Sequence, residues 1–392
     1  MRTKHATSIL RVSSKFMDQY LDTNATAPIE PEVAEIVIHY LTQEFGNAGS
    51  RTHEYGSRAK KAVELARSQI AKVIDCDRSE VIFTSGATES NNLVILGLRA
   101  FLEESSKRHL ITAATEHKAV LEPMQHLEAG GFELTVLPPG PGGYVLPSDL
   151  ERALRPDTGL VSLMQVNNET GVEQPLSEYA AVLAEHDCYF HTDAAQGFGK
   201  SISPLTNSRV DLISVSGHKI YAPKGVGALV ARRRRYKMPP LKPLMYGGGQ
   251  ERGLRPGTAP VALIAGLGKA SELALEHHAR RAQVNLRIRQ DALAALSDLG
   301  PVMHGDQTRV LSHVLSFSVP GVNSEAALIG LKGIAAVSNG SACTSASYEG
   351  SHVLKAMGLT EDEVFGALRV SWSHLGAPPD WSDFAAALAT LQ

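Results

Sequence analysis

The chain has 392 residues, of which 43% are hydrophobic and 20% charged, with a formal net charge of −3. A chain of this length can bury a large core and is expected to hold more than one domain, while its near balance of charge gives no global pull toward nucleic acid or acidic membrane. No apolar run approaches the roughly 20 residues that a membrane crossing needs, and three cysteines (Cys76, Cys188 and Cys343) are too few for a disulfide framework, so a reducing cytoplasm is the expected compartment.

The first sixteen residues carry Arg2, Lys4, Arg11 and Lys15 and no acid. Such a composition occurs in organelle transit peptides, but the stretch has little amphipathic order, and a disordered basic tail or a start at Met17 fits it better. Helical spacing of apolar residues follows at 33–45 and 58–73. Residues 80–83 form a short strand-like run that breaks at Ser85-Gly86. Further strand-like runs occupy 109–113, 133–137, 160–166, 188–192 and 212–215, with helical stretches expected at 89–104, 119–128 and 178–185. Strand and helix in alternation predict an α/β unit with a mostly parallel sheet, whose ligands sit beyond the carboxyl ends of the strands. After Pro260 the texture changes. One long helix or two cover 261–297, followed by a strand-like run at 310–319, a helix at 325–331 and a closing helix at 380–391. This part is expected to form a second, smaller α+β domain, to which residues 17–31 return.

Several short stretches carry residue types suited to chemistry. Ser216-Gly217-His218-Lys219 follows an apolar run, so Lys219 stands at a strand end. Partial desolvation there lowers a lysine's pKa and favours Schiff-base chemistry, although a lysine after a strand is ordinarily a surface residue. Asp193, in His191-Thr192-Asp193-Ala194-Ala195-Gln196, ends another run. A carboxylate there suits the pyridine nitrogen of pyridoxal phosphate, with Gln196 near the same ring, and the ordinary alternative is a helix N-cap. Thr84-Ser85-Gly86-Ala87-Thr88-Glu89-Ser90 joins a strand to a helix whose first N–H groups would hold a phosphate, or merely cap the helix. It lacks the P-loop pattern, and no G-x-G-x-x-G opens a helix.

His117, in Thr115-Glu116-His117-Lys118, is suited to stack on a planar cofactor and move protons. The run Gly247-Gly248-Gly249, continuing to Gly257-Thr258, implies unusual backbone angles or a close approach, or a plain turn between domains. Cys343 lies in the small, polar stretch 338–347, with no packing reason for a cysteine there, and exposed thiols of this kind are nucleophilic. By contrast, Cys76 stands between Asp75 and Asp77, and Cys188 opens a strand-like run. Arg369, inside the apolar run 367–371, needs an anion, either a substrate carboxylate or a structural partner. The basic run from Arg232 to Arg235 reads as a solvated turn, with a nucleic-acid contact left open.

Taken in order along the chain, the strings 84–91, 115–120, 193–196, 216–219, 247–258 and 341–347 resemble those of the cysteine desulfurases. These belong to the fold-type I, aspartate-aminotransferase-like pyridoxal-phosphate (PLP) enzymes. The resemblance spans about residues 20–373. The Ser-Ala-Cys-Thr-Ser-Ala-Ser string resembles the long-loop group of housekeeping and nitrogen-fixation enzymes. Ala27, Tyr246 and Trp372 depart from the housekeeping pattern, and in these features the chain resembles the desulfurases that supply sulfur for DNA phosphorothioation.

The resemblance implies an α/β fold with a large PLP-binding domain over 32–265 and a small C-terminal domain over 266–392 that carries the catalytic cysteine. It implies that Lys219 holds PLP covalently, that Asp193 and Gln196 meet the ring nitrogen and hydroxyl, and that His117 stacks on the ring. Ala87, Thr88, Ser216 and His218 would hold the phosphate, with Thr258 reaching it from the other subunit of a homodimer. Asn168 and Arg369 would bind the substrate carboxylate region. Cys343 would accept the sulfur of L-cysteine as a persulfide and pass it to an acceptor protein in iron–sulfur assembly, tRNA thiolation or DNA phosphorothioation. No metal is implied. Two other readings stand beside this one. One is a class V aminotransferase or lyase indifferent to Cys343; the other is a non-catalytic sulfur-relay scaffold.

Overall fold

Residues 19–339 and 350–392 are described by the structure, a computed structural model. Among them twelve strands are seen: β1 (Gln19–Tyr20), β2 (Val81–Thr84), β3 (His109–Ala113), β4 (Glu133–Leu137), β5 (Thr158–Ser162), β6 (Tyr189–Asp193), β7 (Leu212–Ser216), β8 (Gly227–Ala231), β9 (Val302–Met303), β10 (Val314–Ser318), β11 (Ala335–Ala336) and β12 (Ala367–Ser371). Seven form the central sheet, in the order β2-β8-β7-β6-β5-β3-β4. The pairs from β7 through β4 are parallel, and only β8 runs against its neighbours.

Strands β3, β5, β7 and β8 are buried at every residue, as strands covered on both faces should be. Their alternating side chains build two separate cores. Val81, Phe83, Ile111, Val161, Ile213 and Val230 pack on one face, with the helices Glu54–Val73 and Val261–Glu276. Ile82, Leu110, Leu160, Leu212 and Leu229 pack on the other, with the helices Ala87–Ile95 and Lys118–Ala129. This is the period-two alternation of a pleated strand sorted onto two faces.

A histidine ties three neighbouring strands through their interior. His191 on β6 hydrogen-bonds Ser162 of β5 at 2.7 Å and Ser214 of β7 at 3.0 Å. Burial pushes this imidazole down to about 3, so it stays neutral.

The second part of the chain packs β12, β10 and β9 as an antiparallel sheet against the helices His278–Leu296 and Trp381–Ala389. Its core contains Phe317, Val370, Trp372, Trp381 and Phe384, and Leu21 from the N-terminal segment packs in the same cluster. Strand β1 pairs with β11, and Asp22 bridges to Ser371 beside β12, so the segment after β1 is held against this sheet.

Three local expectations are corrected. The run 160–166 is not one strand. β5 starts at Thr158 and ends at Ser162, and the Asn167 side chain then closes a turn by accepting the N–H groups of Glu169 and Thr170 at 2.9 Å. The helical stretch 89–104 is two helices, Ala87–Ile95 and Arg99–Glu104. The break falls at Gly97, where a Cβ would lie 2.9 Å from the Lys242 carbonyl oxygen.

The basic run is only partly a solvated turn. Arg232 is buried and donates to the carbonyls of Ile74, Leu205, Asn207 and Val210, and Arg234 pairs with Asp211 at 2.6 Å. The turn itself is Arg235-Tyr236, both left-handed at φ 47° and 69°. With two of its arginines spent on the interior, the run offers few cations to a polyanion.

Trp372 is 1% exposed, donates Nε1–H to the Asn285 carbonyl at 3.2 Å and meets the Trp381 ring edge-on at 5.8 Å. Trp372→Ala should cost about 3–5 kcal/mol of stability. The shift of the denaturant midpoint measures it.

Candidate active site

The carboxyl ends of β2, β3, β5, β6 and β7 open onto one cavity of about 520 Å³, lined also by the N-terminal segment and by Arg369 from β12. Ala87, Thr88, His117, Asn168, Asp193, Gln196, Ser216, His218, Lys219 and Arg369 all line it. Thr258 does not. It is exposed, on the loop after the turn Gln250–Gly253. Cys343 lies outside the described residues.

Each side chain is set by local structure. β2 runs into Gly86, whose φ of 157° with ψ of −179° is a glycine conformation, and the helix Ala87–Ile95 starts at once. Its first N–H groups therefore face the cavity edge, at the positive end of the helix dipole. Asp193 closes β6 and is 6% exposed. Its Oδ1 accepts the Ala195 N–H at 2.9 Å, closing a turn where a helix N-cap was the alternative and no helix begins, and its Oδ2 accepts Nδ2–H of the buried Asn91 at 2.7 Å.

Lys219 sits in the single turn Gly217–Lys219 that follows β7. Its ammonium donates to the carbonyls of Asn24 and Ala25, the latter at 2.7 Å. Next to it, His218 Nδ1 lies 3.1 Å from the Thr26 hydroxyl. Burial, reinforced by Lys219, pushes His218 down to about 4.

His117 caps the helix Lys118–Ala129 by accepting the Ala119 N–H at its Nδ1, 3.0 Å away. A ring nitrogen that accepts cannot carry the proton, so the neutral imidazole bears its hydrogen on Nε2. Burial is the largest cause holding this imidazole below its usual range, with Asp193 opposing and the Lys219 charge adding to the depression.

Arg369 is 5% exposed. It donates one Nη to Asp22 at 2.6 Å and the other to the Asn168 carbonyl at 3.0 Å. The two readings of this arginine, structural ion pair and cavity cation, thus hold together.

Sequence reasoning missed the segment 22–27, which crosses the whole site. Asn24 donates to the Asn168 carbonyl at 3.2 Å and accepts from Gln196 at 2.9 Å, Asp22 pairs with Arg369, and the Ala27 N–H donates to the His218 carbonyl at 2.9 Å. The signal available was Asp22-Thr23-Asn24-Ala25-Thr26, a small polar run directly after a strand. Asn91 was inside a recognised string but had no role assigned.

The loop 247–258 is not a plain turn either. Glu251 and Arg252 are left-handed, at φ 45° and 60°. Arg67 grips Glu251 through two hydrogen bonds of 2.8 Å, and the Phe83 N–H, at the end of β2, gives a third.

The chain belongs to the class V aminotransferase family, whose model matches residues 19–375. It is 46% identical over 355 residues to a cysteine desulfurase of Homo sapiens, covering 89% of this chain and 76% of that one. Its identity to the cysteine desulfurase IscS of Methylococcus capsulatus is 45% over 371 residues, covering 94% and 91%. Among solved structures, DndA from Streptomyces lividans superposes with a TM-score of 0.80 at 50% identity, covering 91% of this chain and 99% of that chain. The expected architecture is therefore present, the fold-type I arrangement of PLP enzymes, and the family depends on that cofactor.

The cavity fits such a guest. Buried oxygens of Asn24, Asn91 and Gln196, all cavity-lining residues, have no hydrogen-bond partner. Buried polar atoms rarely stay unpaired, so these suit a polar, planar molecule between Asp193 and the start of the helix Ala87–Ile95. Among the described residues no cluster of His, Cys, Asp and Glu could hold a metal, and no helix is long and apolar enough to cross a membrane.

Two outcomes follow. Asn91→Leu removes the donor on Asp193 Oδ2 and should weaken PLP retention by roughly tenfold, the scale of one hydrogen bond to a charge. Titrating apoprotein with PLP reads this directly. The second concerns pH. Because the His117 pKa is lowered, its neutral form persists as pH falls through the ordinary histidine range near about 6.5, and activity that depends on that form declines only below it. An acid limb of kcat/KM at or above that pH, abolished by His117→Gln, would contradict this.

Proposed function

We propose that Lys219 holds PLP covalently, with Asp193 at the pyridine nitrogen, Gln196 at the ring hydroxyl, His117 against the ring, and Ala87, Thr88, Ser216 and His218 around the phosphate. The observation that carries the reading is the convergence of Lys219, Asp193, His117 and Arg369 on one cavity. The protein is a PLP-dependent cysteine desulfurase. When bound, PLP supplies an electron sink that makes the bonds at the substrate's α-carbon labile.

The protein's own groups do the rest. Arg369, with Asn168, receives the α-carboxylate of L-cysteine. The Lys219 amine takes the α-proton, because His117 Nδ1 already accepts the Ala119 N–H and its Nε2 carries the hydrogen, which leaves His117 as a donor beside the ring. The Cys343 thiolate attacks the substrate sulfur. The substrate C–S bond breaks, an S–S bond forms, and the three-carbon remainder leaves as alanine with the sulfur retained as a persulfide on Cys343.

The other two thiols support that assignment. Burial pushes the Cys76 thiol up to about 12, with Glu80, Asp77 and Asp75 adding to it, and burial also raises Cys188. Neither forms a thiolate readily, and neither lines the cavity.

A homodimer with Thr258 reaching the other subunit's phosphate is part of the same reading. Its support is an exposed apolar face with Ile38, Leu41, Phe45 and Tyr55, 46–69% exposed. The cytoplasm is the compartment that fits an enzyme with a free thiol. The final sulfur acceptor is a protein of the DNA-phosphorothioation type, a reading supported by 50% identity to DndA against 45–46% to the curated relatives.

Alanine release from L-cysteine, compared between wild type and Cys343→Ala at matched PLP content, tests the core of this reading. Cys343→Ala should abolish turnover while leaving bound PLP unchanged. Equal turnover would make the protein a lyase indifferent to that thiol.

A further inference from the structure

The last described residue before the Cys343-bearing segment is Asn339, and the first after it is Gly350. The flanking residues on both sides are pinned to the residues that surround the substrate site. On the near side, Ser338 and Arg369 exchange two backbone hydrogen bonds, of 2.7 and 3.2 Å. On the far side, Ser351 donates its hydroxyl to the carboxylate of Glu169, and the next residue, His352, places Nε2 3.0 Å from the carbonyl of Glu116, which precedes His117. Glu169 follows Asn168 in the chain, and its own N–H is fixed at 2.9 Å by the Asn167 side chain. That same side chain reaches the Thr115 carbonyl at 3.0 Å.

We propose that Glu169 is a positioning residue for sulfur transfer: through Ser351 it ties the far end of the segment bearing Cys343 to the turn that carries Asn168. The inference rests on the desulfurase reading. Chain length makes the tie effective. Cys343 is five residues from Ser338 and eight from Ser351, so both anchors are close to it along the chain. Fixing both ends beside the carboxylate site raises the local concentration of the thiol there. Releasing one end lowers that concentration without touching a group that binds substrate.

The bond is built to persist. Glu169 is 5% exposed and Ser351 2%. Burial raises the Glu169 carboxyl above its usual range and the Ser351 hydrogen bond opposes that shift, so in these surroundings losing the bond leaves a buried polar group unpaired. The Ser351 oxygen also accepts the Leu354 N–H at 3.1 Å, which orients its hydroxyl hydrogen toward Glu169. A purely structural role would loosen the small domain and the substrate site together; a positioning role separates binding from turnover.

The test uses full-chain holoenzyme carrying Ser351→Ala, Glu169→Leu, both together, or Glu169→Gln. Cysteine affinity is read from the change in cofactor absorbance, in a Cys343→Ala background so that turnover does not intervene. Turnover is read as alanine release with Cys343 present. Ser351→Ala and Glu169→Leu should each lower kcat roughly tenfold, the scale of one buried hydrogen bond, with cysteine affinity changed less than about threefold. The double variant should be no slower than Ser351→Ala alone, because that change already removes the shared contact together with the Leu354 N–H cap. Glu169→Gln keeps an acceptor oxygen and should lose less. Unchanged kcat in Ser351→Ala and Glu169→Leu overturns the proposal. So does a parallel loss of affinity and kcat, or an additive double variant. Should Cys343→Ala itself release alanine at the wild-type rate, the desulfurase reading fails rather than this one.

Discussion

Six of the seven central strands run in one direction, and this shared polarity is what the site depends on. Each parallel strand delivers its carboxyl end to the same edge, so the residues just beyond five of them meet although they are far apart in sequence. Asp193 ends β6, the Lys219 turn follows β7, and His117 stands four residues past β3. The alignment is enforced from inside. His191 bonds hydroxyls on both neighbouring strands, and its burial keeps it neutral, so the link costs no buried charge. Asp193, two residues further on, inherits its position from that link, and Asn91 then fixes its carboxylate from across the cavity floor.

Neutral histidines also shape the electrostatics. His218 and His191 are held uncharged by burial, and His117 is shifted the same way. The charges bordering the cavity are then those of Lys219, Lys224, Arg369 and Asp193, with Asp22 paired to Arg369. A surplus of cations at a concave site draws in an anionic phosphate and a substrate carboxylate. Asp22 tempers this surplus at Arg369, and its bond leaves the guanidinium oriented rather than merely charged.

What could be read from the sequence follows physical range. The strands 109–113 and 133–137 have the limits their apolar pattern predicts, because a strand buried on both faces or set at a sheet edge writes its role into consecutive residues. Ten of the candidate residues named above meet at one cavity, most of them because they stand at or just past the end of a local element whose type was legible; Arg369, in the middle of β12, and Asn168, in the turn after β5, are brought there by the fold. The segment 22–27 was not legible as part of the site. Its long-range hydrogen bonds join residues 144 to 349 positions apart, and several use backbone carbonyls, which look alike in every sequence. The inward turn of Arg232 was hidden for the same reason: its partners are four carbonyls from two separate stretches of chain, Ile74 and residues 205–210. The break at Gly97 reflects a neighbour, the Lys242 backbone, that only the folded chain supplies.

The distribution of thiols completes the logic. A desulfurase needs one nucleophilic sulfur near the substrate and is harmed by others that could compete for the transferred atom. Cys188 is buried and Cys76 partly buried, and both are hard to ionise, which removes them from that competition. The thiol that remains, Cys343, is flanked in the chain by Ser338, bonded to Arg369, and by Ser351 and His352, bonded to Glu169 and Glu116. In the proposed reading, binding and sulfur acceptance share one scaffold. Strand β12 carries Arg369 and bridges to Ser338, and the turn after β5 carries both Asn168 and Glu169. A substitution at the anchors Ser351 or Glu169 should be felt first in how the thiol is presented and only second in how substrate is held. This follows because the carboxylate site keeps its own partners, Asp22 and the Asn168 carbonyl, when an anchor is lost.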